Sequence, residues 1–90
     1  MVDNMEYIIT FKNTNWAIKS EHYLLEENLQ VKVMPLPTQI SAGCGICLRI
    51  PATEIQTALD ILSAKEVEDV GLYTRVEKDR GYSYGEVTDR

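Results

Sequence analysis

Cys44 and Cys47 are the side chains of this chain best suited to covalent chemistry, and they stand in the run Ser41-Ala42-Gly43-Cys44-Gly45-Ile46-Cys47. A thiolate can attack, carry a second chalcogen atom or bind a metal, whereas a buried thiol merely packs. Gly43 and Gly45 flank Cys44 without side chains of their own. They permit φ > 0 and close backbone approach, so successive N–H groups would form an anion-binding concavity around a thiolate. Donors of this kind favour the charged form and are expected to lower the thiol pKa. The plainer alternative is a tight loop that happens to contain a small residue.

The pair also spells Cys44-x-x-Cys47, the spacing of dithiol redox sites. In thioredoxin-like sites the first cysteine opens a helix, but here Cys44 precedes a strand and no helix begins before Pro51. Helix-dipole activation is therefore not expected, and a strand at Cys47 would turn its thiol away from the packed helices. Cys47 is either a resolving thiol or a small apolar residue filling the sheet face. Zinc normally takes four ligands. His22 is the one histidine in the sequence, so a complete site within one chain is not expected.

Ninety residues with 44% hydrophobic content suit one small domain with a single core. A net charge of −5 opposes binding to a phosphate backbone, which needs clustered Lys and Arg, so nucleic acid is not an expected partner. The N-terminal Met1-Val2-Asp3-Asn4-Met5-Glu6 is acidic and has neither the basic nor the apolar region of a secretory signal. No apolar run approaches the ~20 residues of a membrane span. With two cysteines and no export signal, reduced thiols in the cytoplasm are expected and a membrane association is not. Nothing in the sequence points to a cofactor.

The elements that must position these residues read in order. Glu6 to Phe11 is rich in β-branched and aromatic residues and predicts a strand. Asn13-Thr14-Asn15 then offers an N-cap for a helix from about Trp16 to Asn28. On that helix Ala17, Ile18, Leu24, Leu25 and Leu29 share one face, and Glu21 falls at its middle. A buried unpaired carboxylate is costly, so Glu21 should pair with loop N–H groups, Arg49 or Arg75, or reach solvent. Trp16 and Tyr23 lie opposite the aliphatic stripe and read as an interface or an edge contact.

Val31 to Met34 is a short strand ended by Pro35 and Pro37. From Ile46 to Ile50, Ile46, Leu48 and Ile50 alternate with Cys47 and Arg49, predicting a strand that buries the first set and turns the second to the opposite face. Pro51 and Thr53 open a second helix with Ile55, Ala58, Leu59 and Leu62 at helical spacing. From Val70 to Val76, Leu72, Thr74 and Val76 alternate with Gly71, Tyr73 and Arg75, giving a fourth strand. The expected fold is α+β, a ferredoxin-like β-α-β-β-α-β domain over residues 1–77 with a four-stranded antiparallel sheet and both helices on one face. The other sheet face, carrying Cys47, Arg49, Tyr73 and Arg75, would be open to a partner, and a homodimer is expected there. Residues 78–90 form a polar tail, either disordered or folded back as a hairpin.

With these motifs in place the chain resembles a bacterial selenium/sulfur carrier family, formerly described as a domain of unknown function, over roughly Tyr7 to Val76. The resemblance rests on Ala17 and Glu21-x-x-Leu24, on Pro35-x-Pro37, and on Ser41-x-Gly43-Cys44-Gly45 leading into Leu48-Arg49-Ile50. It implies a small carrier more than a turnover enzyme, holding sulfur or selenium on Cys44 as a persulfide or selenosulfide. Gly43 and Gly45 would shape the loop, with Glu21 and Cys47 as candidates for support. Its implied partners are a donor such as a cysteine desulfurase or selenocysteine lyase, and an acceptor enzyme. A second cysteine at the Cys47 position is not expected of the family generally. Two other readings compete: a non-catalytic ferredoxin-like module that self-associates, and a dithiol redox protein.

Overall fold

The computed structural model describes residues 5–88, so the reading of Met1 to Asn4 and the last two tail positions lie outside the described residues. The chain runs β1 (Glu6–Thr10), α1 (Thr14–Glu26), β2 (Lys32–Pro35), β3 (Ile46–Pro51), α2 (Ile55–Ala64), β4 (Gly71–Lys78) and β5 (Gly81–Glu86), with a short 3₁₀ turn over Ala52–Glu54 leading into α2. All strand pairs are antiparallel, in the order β2-β3-β1-β4-β5.

Among the described residues the sheet therefore has five strands, not the four expected from sequence, because the tail takes the hairpin alternative. The fifth comes from the polar tail, which turns at Asp79 and Arg80 and pairs with β4 from Lys78↔Gly81 through Tyr73↔Glu86. Asp79 adopts φ 53°, a left-handed conformation that Asp tolerates better than most residues.

Central strand β1 is buried on both faces, since Ile8 and Ile9 are each 0% exposed. Ile9, Leu48, Ile50 and Leu72 turn toward the helices and pack with Ala17, Leu24, Ala58 and Leu62. Ile8 and Cys47 turn the other way and are covered by Ile40, with Met34, Leu36, Tyr73 and Tyr84 around them. Thus the face expected to be open is largely closed by the chain's own loop between β2 and β3. Ile40 is held over it by a turn in which its N–H donates to the Pro37 carbonyl at 3.0 Å.

Asn13 caps α1 as its side-chain chemistry suggests, its Oδ1 accepting from the Trp16 N–H at 2.9 Å. At its other end Asn28 is left-handed (φ 64°), and the N–H groups of Asn28 and Leu29 close onto the Leu25 and Leu24 carbonyls. The second helix ends the same way, with Glu66 (φ 61°) and Val67 closing onto Ser63 and Leu62. In both closures the residue after the left-handed position is apolar and enters the core, Leu29 beside Leu24 and Val67 beside Leu62.

The buried face of α1 differs from the expected stripe. Ala17, Ser20 and Leu24 are buried and Trp16 and Tyr23 pack against the helix-side core, whereas Ile18 and Leu25 are exposed. The two aromatics offer more apolar area than the two aliphatics, so rotating the helix toward them buries more surface. Lys65, just after α2, stacks over the Tyr23 ring at 5.0 Å, which places this side of α1 toward α2. The rotation also buries Ser20 completely, and its hydroxyl has no hydrogen-bond partner among the described residues.

Candidate functional site

The loop between β2 and β3 carries Cys44 to the end of the sheet where central strand β1 stops. Gly43 crosses directly over Lys12. A Cβ on Gly43 would fall onto the Lys12 carbonyl oxygen, so the loop can take this path only with glycine there. No described glycine has positive φ, which corrects the expectation that Gly43 and Gly45 serve through left-handed backbone. At Gly43 the reason is close approach; at Gly45 an added Cβ would meet nothing within 4 Å. The loop is tied down on its far side, where the Leu36 N–H donates to the Gly45 carbonyl at 2.9 Å.

Ser41, Ala42, Gly43 and Gly45 are exposed, while Cys44 itself is only 9% exposed and joins the helix-side core. Its thiol donates to the Ile46 carbonyl, Sγ to O 3.1 Å. Among the described residues no N–H donates to the Cys44 sulfur, so the expected cradle is not formed. The sulfur is instead engaged as a donor, by a carbonyl two residues ahead.

Beside the loop is a shallow pocket of about 410 Å³ between Thr10, Lys12, Gly43, Asp69 and Gly71. Lys12 and Asp69 pair across it at 3.5 Å, both well exposed, so the interaction is weak and yields readily to a competing charge.

Cys47 occupies a different environment. It is 0% exposed on the far face of the sheet, with the Pro35 carbonyl 3.8 Å from its sulfur. Burial pushes its thiol pKa up to about 11; the nearby Cys44 adds to the rise and Arg75 opposes it. At neutral pH Cys47 is therefore a protonated packing residue. The two thiols belong to separate clusters on opposite faces, so a Cys44–Cys47 disulfide would require one of them to leave its core.

Glu21 is half-buried on α1 and makes no hydrogen bond or ion pair among the described residues, so nothing of that kind links it to the Cys44 loop. The carboxylate that meets Arg49 and Arg75 is Glu6. Its Oε1 lies 2.5 Å from Arg75 Nη1 and its Oε2 lies 3.5 Å from Arg49 Nε. Arg75 is buried; it donates through Nε to the Tyr84 hydroxyl at 3.3 Å and stacks 3.6 Å above the Tyr82 ring. Burial disfavours this guanidinium's charge, but the bonds to Tyr84 and Glu6 outweigh it and raise its pKa. Sequence reading missed this cluster. Its signal is strand parity, which puts Glu6 on the same face as Ile8, but the partners follow only from the register Glu6↔Arg75 and Arg75↔Tyr84.

His22 pairs with Glu26 on the exposed side of α1 at 3.2 Å. Among the described residues no group of three or more His, Cys, Asp or Glu side chains is placed to hold a metal. No described helix is long and apolar enough to cross a membrane.

The fold and loop define a small α+β domain with one largely buried cysteine between two glycines at a strand mouth. A family profile described as "Putative Se/S carrier protein-like" matches residues 6–74, and the chain belongs to that family. The match spans β1 through the middle of β4 and includes the whole Cys44 loop. No curated protein and no solved structure matches the chain.

Proposed function

We propose that this protein is a carrier that receives sulfur or selenium on Cys44 and hands it to an acceptor enzyme. The observation that carries the reading is the family match across the loop in which Cys44 sits among exposed residues. The chemistry is exchange at sulfur. The Cys44 thiolate attacks the outer chalcogen of a donor persulfide or selenosulfide, a new bond forms at Cys44, and the donor thiolate leaves and takes up the proton. An acceptor thiolate then attacks the outer atom and releases Cys44. The cycle has no net oxidation and consumes no cofactor, which makes the protein a shuttle more than a turnover enzyme.

For the first step the Cys44 thiol must give up its bond to the Ile46 carbonyl and turn outward. Gly45, with no steric demand from its surroundings, is the position where the loop bends, while Gly43 stays anchored over Lys12. Cys47 is kept out of the exchange by its burial and raised pKa. Glu21 has no hydrogen bond or ion pair to the loop among the described residues, so its support of the exchange would run through water. The order β2-β3-β1-β4 with both helices on one face supports reading the first four strands as a ferredoxin-like core, to which β5 is added. A cysteine desulfurase or selenocysteine lyase is the fitting class of donor, and the reducing cytoplasm is the fitting compartment.

Delivery tests this reading. Protein loaded by a cysteine desulfurase with radiolabelled cysteine should release the label as sulfide on addition of a dithiol, and Cys44→Ser protein should neither take up nor release it. Label taken up equally by Cys44→Ser protein would overturn the assignment.

A further inference from the structure

The segment Arg80-Gly81-Tyr82-Ser83-Tyr84-Gly85-Glu86 is symmetric about Ser83: tyrosine on each side, then glycine, then opposite charges at the two ends. This segment is β5 with the residue before it, and β5 is an edge strand. The Val87 N–H donates to the directly opposed Leu72 carbonyl at 2.8 Å, so odd-numbered residues here address β4. Tyr82, Tyr84 and Glu86 therefore turn their backbone N–H and C=O groups outward.

Edges left in this condition are normally blunted by Pro, Lys, a bulge or a covering loop. Gly81 to Glu86 contains neither Pro nor Lys, and its six pairs with β4 run without interruption. Gly81 has no positive φ and an added Cβ there meets nothing, so the single chain gives no reason for glycine at this position.

We propose that β5 pairs antiparallel with β5 of a second copy about a two-fold axis through Ser83, joining the two sheets into one. In this register Tyr82 exchanges both backbone hydrogen bonds with Tyr84 of the partner subunit, and symmetry repeats the pair. Gly81 lies opposite Gly85 of the partner subunit, and Arg80 opposite Glu86 of the partner subunit, so the charges complement at both ends. Both tyrosines stand on the face where Arg75 already holds them, one by stacking and one by a hydrogen bond, so little side-chain freedom is lost on pairing. A slip of two residues, the smallest that keeps the outward groups aligned, loses both Arg80–Glu86 pairs and one of the two tyrosine pairs.

Sedimentation of the full chain tests this. Wild type should show a concentration-dependent dimer; Arg80→Glu and Glu86→Arg should each weaken it about tenfold, and the double variant, which restores opposite charges, should recover it. Ser83 on the axis faces its own copy at a non-hydrogen-bonded position, where Cα atoms approach to about 4.5 Å, within disulfide reach. Ser83→Cys should thus form a covalent dimer on mild oxidation, and Arg80→Cys, far from its own copy, should not. A monomer at all concentrations, a dimer indifferent to both single reversals, or equal cross-linking of the two cysteine variants would overturn the proposal.

Discussion

Cys44 and Cys47 lie on opposite faces of the sheet although only two residues separate them. Alternation along β3 puts Cys47 opposite Ile46 and Leu48, on the side of Ile8 and under Ile40, while the preceding loop brings Cys44 to the side of Ile46 and Leu48, under the helices. A spacing that suggests a dithiol pair thereby yields two thiols with separate surroundings, one at an exposed loop and one fully enclosed.

The enclosed thiol makes stability depend on alkaline pH. Cys47 has a folded pKa of about 11 against an ordinary value of 9.0, so between these the unfolded chain loses a proton that the folded chain keeps. Stability from this group is complete below pH 9 and is lost as pH rises through 11, by about 2–3 kcal/mol at roughly 1.4 kcal/mol per unit. Chemical denaturation of wild type and Cys47→Ala across this range measures it; the fall should be smaller by that amount in the variant.

The two glycines beside Cys44 should respond differently to a methyl group. Gly43→Ala drives a Cβ into the Lys12 backbone and should cost about 1–3 kcal/mol. Gly45→Ala meets open space and should stay within about 0.5 kcal/mol of wild type. Urea melts of both variants decide this, and equal costs would refute the steric account of the loop.

Ser20 offers a stabilising change. Its hydroxyl is fully buried with no hydrogen-bond partner among the described residues, so Ser20→Ala removes an unsatisfied group and adds a better helix former. A gain of about 1 kcal/mol is expected in thermal or urea unfolding. A loss would mean that the hydroxyl is satisfied by water or by a ligand.

Much of the scaffold was legible because burial imposes strict alternation. Ile46, Leu48 and Ile50, like Leu72 in β4, declare their faces, and Ile55, Ala58, Leu59 and Leu62 declare α2. The fifth strand was legible only as one of two readings of the tail, disordered or folded back as a hairpin, since at an edge it buries little and Gly81, Ser83 and Gly85 give no apolar period. The rotation of α1 was hidden because counting aliphatic positions ignores how much area Trp16 and Tyr23 bring. In the site, the glycines flanking Cys44 signalled the loop, but the reason for Gly43 is a carbonyl on another strand end, which only the tertiary structure supplies. The same holds for Glu6, whose arginine partners come from two other strands.

Intact-mass spectrometry after incubation with a persulfide or selenosulfide donor tests the carrier account most directly. Wild type and Cys47→Ser protein should each gain the mass of one sulfur or selenium atom, and Cys44→Ser protein should gain none. An unmodified wild type under every donor condition, or an adduct that survives Cys44→Ser, would contradict the account and leave Cys44 as a core side chain in a tight loop.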